Sequence, residues 1–442
     1  MMSNLIRTKI VDLLSGKNCL KYYELYSDTQ WYARSYLDKL QLEKLKLLLE
    51  HCFINVPFYH KVIEDKKIDL NRIEDFDVLN HFPVITKQTI IENYEDFKPL
   101  NLNKLHSVKV SPTGGTTGRI LYKRTDANLR SSAWGAYRRF TDWMGVKESD
   151  AKLKLLGGHI KRPRLIEIVK DSVSNFLTND YSFDPYDNSD ENINKIRELL
   201  KNKKIQLIRS YSQYLYNLAQ QFDEKNETFN VRAIMTTAEP LMQEHRQLFK
   251  KIFNAESFDQ YGSGEIGGIA FECSKHEGLH ITEERVIIEQ DENNNLIITD
   301  LDNYAMPYLR YKNDDQAIIS EKPCSCGRQH RLITEVLGRS CDYITGSDGR
   351  NLHWAYFWHL MFDTHIAYKR NIKKFQIRQS NNREIQFRYV GNDLSDADKD
   401  KLKLLLSQKL GTIEILFKKE EDIENSVSGK YRPVVNDLLL KK

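Results

Sequence analysis

The stretch SPTGGTTGRILYKR, residues 111–124, sets three glycines among hydroxylated side chains, between the strand-like run 105–110 and the apolar residues 120–122. Glycine lets successive backbone N–H groups turn toward an anion, and Ser and Thr add donors, so this composition suits a phosphate cradle. It equally suits a plain hairpin turn. No Lys-Ser or Lys-Thr follows Gly118, so the spacing of a Walker phosphate loop is missing and a P-loop kinase or nucleotidase is disfavoured.

A second chemical stretch is FDQYGSGEIGG, residues 258–268. Its aromatic can stack on a base, and the carboxylate of Glu265 can hold Mg²⁺ against phosphate, since hard cations take oxygen ligands. A strand ending in a glycine turn with a solvated Glu is the bland alternative. The third is a set of soft ligands: Cys273 and His276 are spaced C-x-x-H, and Cys324 and Cys326 are spaced C-x-C. Two such pairs brought together by a fold make a closed Cys₃His tetrahedron for structural zinc, with His280 as an alternative fourth ligand. Unligated buried cysteine is the competing reading, and Cys19 and Cys52 are read simply as buried thiols.

These residues need elements to hold them. The chain has 442 residues, enough for two or three domains, with 66 basic and 62 acidic side chains interspersed. That balance makes no electrostatic case for nucleic acid. Charged residues interrupt the N-terminal apolar run and no stretch has the length of a membrane span, so a cytoplasmic protein without membrane insertion is expected. Residues 27–66 read as helical, and a further helix starts after Thr86, an N-cap candidate. From 105 to 340, apolar runs such as KLKLLGG, IQLIRSY, VRAIMTT, RVIIEQ and NLIITD alternate with helical ones, which predicts parallel sheets in α/β layers. The last hundred residues read as a small ββαβ module with its helix capped by Ser395. Trp134, Tyr137, Arg138 and Trp143 have helical spacing and read as packing, and His159 as a structural histidine.

The motifs also form an ordered set: SPTGGTTG, TTAEPL (236–241), YGSGE (261–265), YLRYKNDD (308–315), LGRSCDYI (337–344) and SVSGKYR (426–432). In this order the chain resembles the adenylate-forming enzymes over nearly its whole length. NVPFY, FPVITK and CSCGR make it similar to the phenylacetate-CoA ligase family in particular, including members associated with capsular polysaccharide biosynthesis.

The resemblance implies a large α/β adenylation body of layered sheets and helices (1–338), a hinge (339–341) and a small mobile α+β C-terminal lid domain (342–442). It implies that Thr113, Gly114, Gly115, Thr116, Thr117 and Gly118 wrap the ATP phosphates, Thr116 acting on the departing pyrophosphate. Ala238, Glu239 and Pro240 would line the adenine, Tyr261 would stack on it beside Gly262 and Ser263, and Glu265 would take Mg²⁺. Asp315, five residues after Arg310, would hold the ribose hydroxyls, with Asp314 solvated beside it. Arg339 would meet the ribose and phosphate, and Cys341 stands at the usual pivot position. Lys430 would bridge the carboxylate and α-phosphate during adenylation. Several family members carry a zinc site, which supports the Cys₃His set. The implied activity is AMP-forming activation of a carboxylic acid and transfer to coenzyme A, with Gly346 and Gly349 placed to let pantetheine approach. Transfer to an amino sugar or carrier, and a non-catalytic zinc-braced scaffold, are the alternatives. Dimers are frequent in that family, so a homodimer is compatible with the resemblance.

Overall fold

The computed structural model describes Lys9, Asp12 and residues 18–112, 121–156, 179–185, 189–339, 343–347, 349, 351–381, 383–424 and 432–440. Contacts divide the chain into two units, one reaching Val336 and one running from Leu337, with residues 314–316 grouped with the second.

The first unit begins with helices α1 (Cys19–Thr29), α2 (Arg34–Asn55) and α3 (Pro57–Lys66). Pro57 starts α3, where a missing N–H costs nothing. The short helix α4 (Lys87–Glu92) carries the Thr86 cap, which exchanges bonds with Thr89. Strands β1 (Lys109–Pro112) and β2 (Tyr122–Thr125) form an antiparallel pair. Strands β3 (Ala151–Leu155), β4 (Asp180–Ser182), β5 (Ile205–Tyr211), β6 (Ala233–Thr237) and β7 (Glu256–Phe258) make a parallel sheet in the order β4-β3-β5-β6-β7. Parallel strands need a crossover and cover on both faces. Helices α6 (Asp190–Asn202), α7 (Ser212–Glu224) and α8 (Gln243–Phe253) pack on one face through Ile196, Phe222 and Phe249, in one cluster with Ile208 of β5. Helix α5 (Ala127–Trp143) covers the other through Ala136 and Phe140 against Leu207, Met235 and Phe258.

The parallel pattern stops there. Strands β8 (Gln260–Ser263), β9 (Gly267–Glu272), β10 (Leu279–Ile281), β11 (Val286–Gln290), β12 (Asn295–Asp300), β13 (Tyr311–Ser320) and β14 (Leu332–Arg339) form a second sheet, ordered β11-β12-β13-β14-β10-β9-β8. RVIIEQ and NLIITD are therefore two arms of an antiparallel hairpin, with Ile288 opposite Ile298. The turn Asp291–Asn294 is far too short for a crossover, which corrects the expectation of parallel strands in this stretch. FPVITK docks on this sheet: Ile85 donates its N–H to the Arg310 carbonyl at 3.0 Å. Arg310 pairs with Glu289 at 3.0 Å and donates to the Phe82 carbonyl, also at 3.0 Å, so its role is to bind this segment in place. Among the described residues no helix is long and apolar enough to cross a membrane.

The first unit buries a charged network. Arg139, 1% exposed, meets Glu284, 0% exposed, at 2.6 Å, and His330 reaches the same carboxylate at 3.3 Å. Lys44 holds Asp302 at 2.6 Å. Asp300 is fully buried; one of its oxygens accepts from the Asp302 N–H at 3.0 Å and the other has no partner among the described residues. Burial pushes the Asp300 pKa up to about 7, with Arg285 opposing and Asp302 adding to the rise. The unfolded carboxyl loses its proton near pH ~4, whereas the folded one keeps it until about 7, so folding stability falls as pH rises through that window and is level above it. Asp300→Asn is expected to flatten this fall, with its largest relative gain above pH 7 in melts run across the window. Identical slopes in the two proteins would exclude Asp300 as the source.

In the second unit, β15 (Tyr343–Thr345) pairs with β16 (Asn351–His353), and a helix, α9 (Trp354–Asp363), follows. Strands β17 (Lys374–Asn381), β18 (Glu384–Val390), β19 (Glu414–Lys419) and β20 (Val434–Asn436) form a sheet ordered β19-β18-β17-β20. Helix α10 (Asp396–Leu410) crosses between β18 and β19 and is capped by Ser395, which exchanges bonds with Asp398. This is the ββαβ module read from the sequence, closed by a fourth strand. A side chain at Gly346 would meet the Leu410 carbonyl at 2.6 Å, so that glycine serves packing within the unit, whereas Gly349 is open, with nothing within 4 Å of a built Cβ.

Candidate active site and metal centre

In open α/β sheets ligands bind beyond the carboxyl ends of the parallel strands, and the TTAEP segment lies there. Thr237 ends β6, and Ala238 then takes a left-handed φ of +66°. That conformation costs an alanine about 1 kcal/mol, and its surroundings hold it. The Glu239 carboxylate accepts the Gln213 N–H at 3.0 Å near the start of α7, and the Ser212 hydroxyl donates to the Pro240 carbonyl at 2.8 Å. Ala238 and Pro240 are left exposed.

The YGSGE segment is tied to the same edge. The Gln260 amide donates to the Thr237 hydroxyl, and Tyr261 follows on β8 with 7% exposure, its hydroxyl accepting from Asn313 at 2.7 Å. A Cβ on Gly262 would lie 2.4 Å from the Gly267 carbonyl oxygen, so the turn tolerates only glycine there. Ser263 accepts the Ile266 N–H at 3.2 Å and shapes the turn itself. Glu265 is half-buried beside Lys123, whose ammonium donates to the Gly264 carbonyl. Burial pushes the Lys123 pKa down while Glu265 and Asp300 oppose the shift.

The structure thus brings Ala238, Glu239 and Pro240 together with Tyr261, Gly262, Ser263 and Glu265. Thr113, Gly114, Gly115, Thr116, Thr117, Gly118, Cys341, Lys430 and His159 lie outside the described residues. Asp315, half-buried, and Asp314, exposed with φ +63°, belong to the second unit, as does the backbone of Arg339 at the end of β14. Sequence reasoning missed Lys123 and Asn313. Lys123 stands five residues past the glycine-threonine turn, and nothing in its spacing points to Glu265.

The cysteine cluster is formed, but with a different histidine. One ligand atom from each of Cys273, His280, Cys324 and Cys326 lies within 4.8 Å of all the others. His276 is not among them: its Nδ1 sits 3.0 Å from Glu272, which also accepts a two-pronged contact from Arg246 at 2.9 and 3.0 Å. The reason is strand geometry. β10 runs antiparallel to β9 with His280 opposite Phe271, which folds the imidazole back beside Cys273, whereas His276 caps the intervening turn at φ +53°. The Sγ atoms of Cys273 and Cys324 are 3.7 Å apart, and Cys326 Sγ is 3.5 Å from His280 Nε2. A tetrahedron with Zn–S of about 2.3 Å and Zn–N of about 2.05 Å has edges of about 3.8 Å between sulfurs and about 3.6 Å between sulfur and nitrogen. His280 is fully buried, and burial drives its pKa far down, which keeps the imidazole in the neutral form that ligates. The donor set therefore fits a four-coordinate zinc ion with no open position.

No family model matches the chain. It is 24% identical over 340 residues to the phenylacetate-coenzyme A ligase of Thermus thermophilus, which covers 70% of this chain and 72% of that protein. The Escherichia coli phenylacetate-coenzyme A ligase is 22% identical over 334 residues, 70% of this chain and 72% of its own length. The chain is thus similar in sequence to phenylacetate-coenzyme A ligases. Its fold is that of 2-hydroxyisobutyryl-CoA ligase, whose crystal structure in the postadenylation state with R3-HIB-AMP superposes with a TM-score of 0.71 at 14% identity, covering 93% of this chain and 92% of that one. Similarity and fold agree with the α/β body and smaller C-terminal unit built above.

Proposed function

We propose that this chain is an AMP-forming acid–thiol ligase. A carboxylate oxygen attacks the α-phosphorus of ATP, the bond to the β-phosphate breaks, and pyrophosphate leaves with the electron pair. The thiol of coenzyme A then attacks the acyl carbonyl and AMP departs. Adenylation turns an oxide leaving group into a phosphate ester, so no enzyme nucleophile is required. The observation that carries this reading is the pairing, at one edge of the parallel sheet, of the strained TTAEP segment with YGSGE in a chain similar in sequence to phenylacetate-coenzyme A ligases.

In this reading Ala238, Glu239 and Pro240 line the adenine against Tyr261, and Asp315 and Arg339 take the ribose. Glu265 holds Mg²⁺ on the phosphates, which Thr113–Gly118 wrap, and Lys430 bridges the reacting carboxylate and α-phosphate. Residues 1–338 act as the body, 339–341 as the hinge and 342–442 as the lid. Zinc on Cys273, His280, Cys324 and Cys326 braces the body and takes no part in the chemistry.

Incubation with ATP, Mg²⁺, a panel of carboxylic acids and coenzyme A tests the reading, with acid-dependent pyrophosphate release and CoA-dependent AMP release expected. Acid-dependent pyrophosphate release that ignores coenzyme A but needs an amino sugar would move the acceptor to surface polysaccharide chemistry. No nucleotide-induced stabilisation and no pyrophosphate release would leave a scaffold.

A further inference from the structure

Arg209 lies on β5, on the face covered by α5. Its guanidinium sits 5.7 Å from the Trp134 ring and 5.9 Å from the Tyr137 ring. Its Nε is buried and has no hydrogen-bond partner, and no ion pair reaches the group among the described residues. The neighbouring carboxylate of Asp180 is held 3.8 Å from Lys152. Asp180 is within electrostatic reach of Arg209, but a half-buried guanidinium flanked by rings with no hydrogen-bonded acceptor at Nε has its desolvation offset only in part, and an incoming anion would offset more of it through charge-assisted bonds.

The depth of Arg209 says which part of a substrate it meets. Arg209 is opposite Met235 in the parallel register, and Tyr211 is opposite Thr237, the residue that precedes the Ala238 turn. Arg209 is therefore one side-chain layer, about 7 Å, below the strand ends. The reacting carboxylate must lie above those ends, beside the nucleotide. Tyr137 connects the two levels: it lies beside the Gln260 amide, and a Cβ on Gly268 would meet its ring at 3.2 Å. Trp134, on the other side of the guanidinium, is 38% exposed.

We propose that the acid used by this protein is doubly acidic, and that its distal anionic group docks on Arg209 between Trp134 and Tyr137. This rests on the ligase reading above. It is tested by pyrophosphate release with glutarate, adipate and phthalate against the matched monoacids butyrate, pentanoate and benzoate, in the natural chain, in Arg209→Gln and in Arg209→Lys. In the natural chain at least one diacid is expected to exceed its matched monoacid in kcat/KM by about tenfold or more. Arg209→Gln should erase that preference by lowering the diacid value alone, Arg209→Lys should retain part of it, and AMP-induced thermal stabilisation should be unchanged in both. Preference for the monoacids, an equal loss for both classes in Arg209→Gln, or turnover of no diacid by a protein that AMP still stabilises overturns the assignment while sparing the ligase reading. Absence of both turnover and AMP stabilisation removes the two together.

Discussion

His280→Ala is expected to abolish stoichiometric zinc and to lower the stability of the first unit by at least about 3 kcal/mol, about 4 °C or more in the melting midpoint of a unit this size. The expectation rests on distances that match the edges of a zinc tetrahedron and on the burial of the imidazole. A metal held there would join distant segments: Cys273 follows β9, His280 lies on β10, and Cys324 and Cys326 precede β14. Without it, the three thiols packed around Leu332 and the imidazole beside them would lose their common partner. Cys324→Ser should behave alike, and a strong chelator should reproduce both in the unaltered chain. His276→Ala is the control, because that ring is part of the Glu272 and Arg246 group and its loss should leave zinc content at one per chain. Metal analysis of the purified variants decides: zinc retained in His280→Ala but lost in His276→Ala would reverse the assignment, and no zinc in the unaltered protein would end it.

The contrast between these histidines shows what the sequence could and could not yield. C-x-x-H spacing is local, and it selects His276 because ligand pairs often lie within one turn. Which imidazole faces the sulfurs is fixed by the antiparallel register of β9 and β10, a tertiary fact. Patterns that depend on near neighbours were legible: the Thr86 and Ser395 caps, the ββαβ order of the second unit, and the α/β alternation through β6. The hairpin of β11 and β12 was misread because buried antiparallel and parallel strands share the same continuous apolar run, and only the short Asn-rich turn separates them. Motif order singles out the TTAEP segment, yet Ala238 gives no sign in its residue type of the left-handed backbone it adopts. Lys123, Asn313 and Arg209 became candidates only through their neighbours. Trp134 and Tyr137 fitted a helical packing stripe, and Tyr137 does pack, against Phe271; that the stripe also frames a guanidinium follows from where β5 places Arg209.

Lys430→Ala is expected to cut adenylation, measured as acid-dependent pyrophosphate exchange, by about 10²- to 10³-fold, the usual loss when one group stabilising developing charge is removed. Attack of coenzyme A on a supplied acyl-adenylate should proceed at the unaltered rate, because the pentavalent centre that the ammonium neutralises has already passed. The structure gives this prediction a physical footing two residues downstream. The Arg432 carbonyl accepts from Gln376 at 3.0 Å, the Pro433 carbonyl accepts the Ile377 N–H at 2.8 Å, and Val434 pairs with Ile377 in the parallel register of β17 and β20. The chain from Arg432 onward is thereby fastened to a sheet. A point charge on a flexible stem suits an oxygen pair whose geometry changes during the reaction, so Lys430→Arg should recover only part of the rate. Melting temperature and AMP-induced stabilisation separate a chemical loss from a structural one and should match the unaltered chain. Pyrophosphate exchange that stays within about threefold in Lys430→Ala would take this lysine out of the first half-reaction and leave the charge on the α-phosphate to Lys123 or to Mg²⁺ on Glu265.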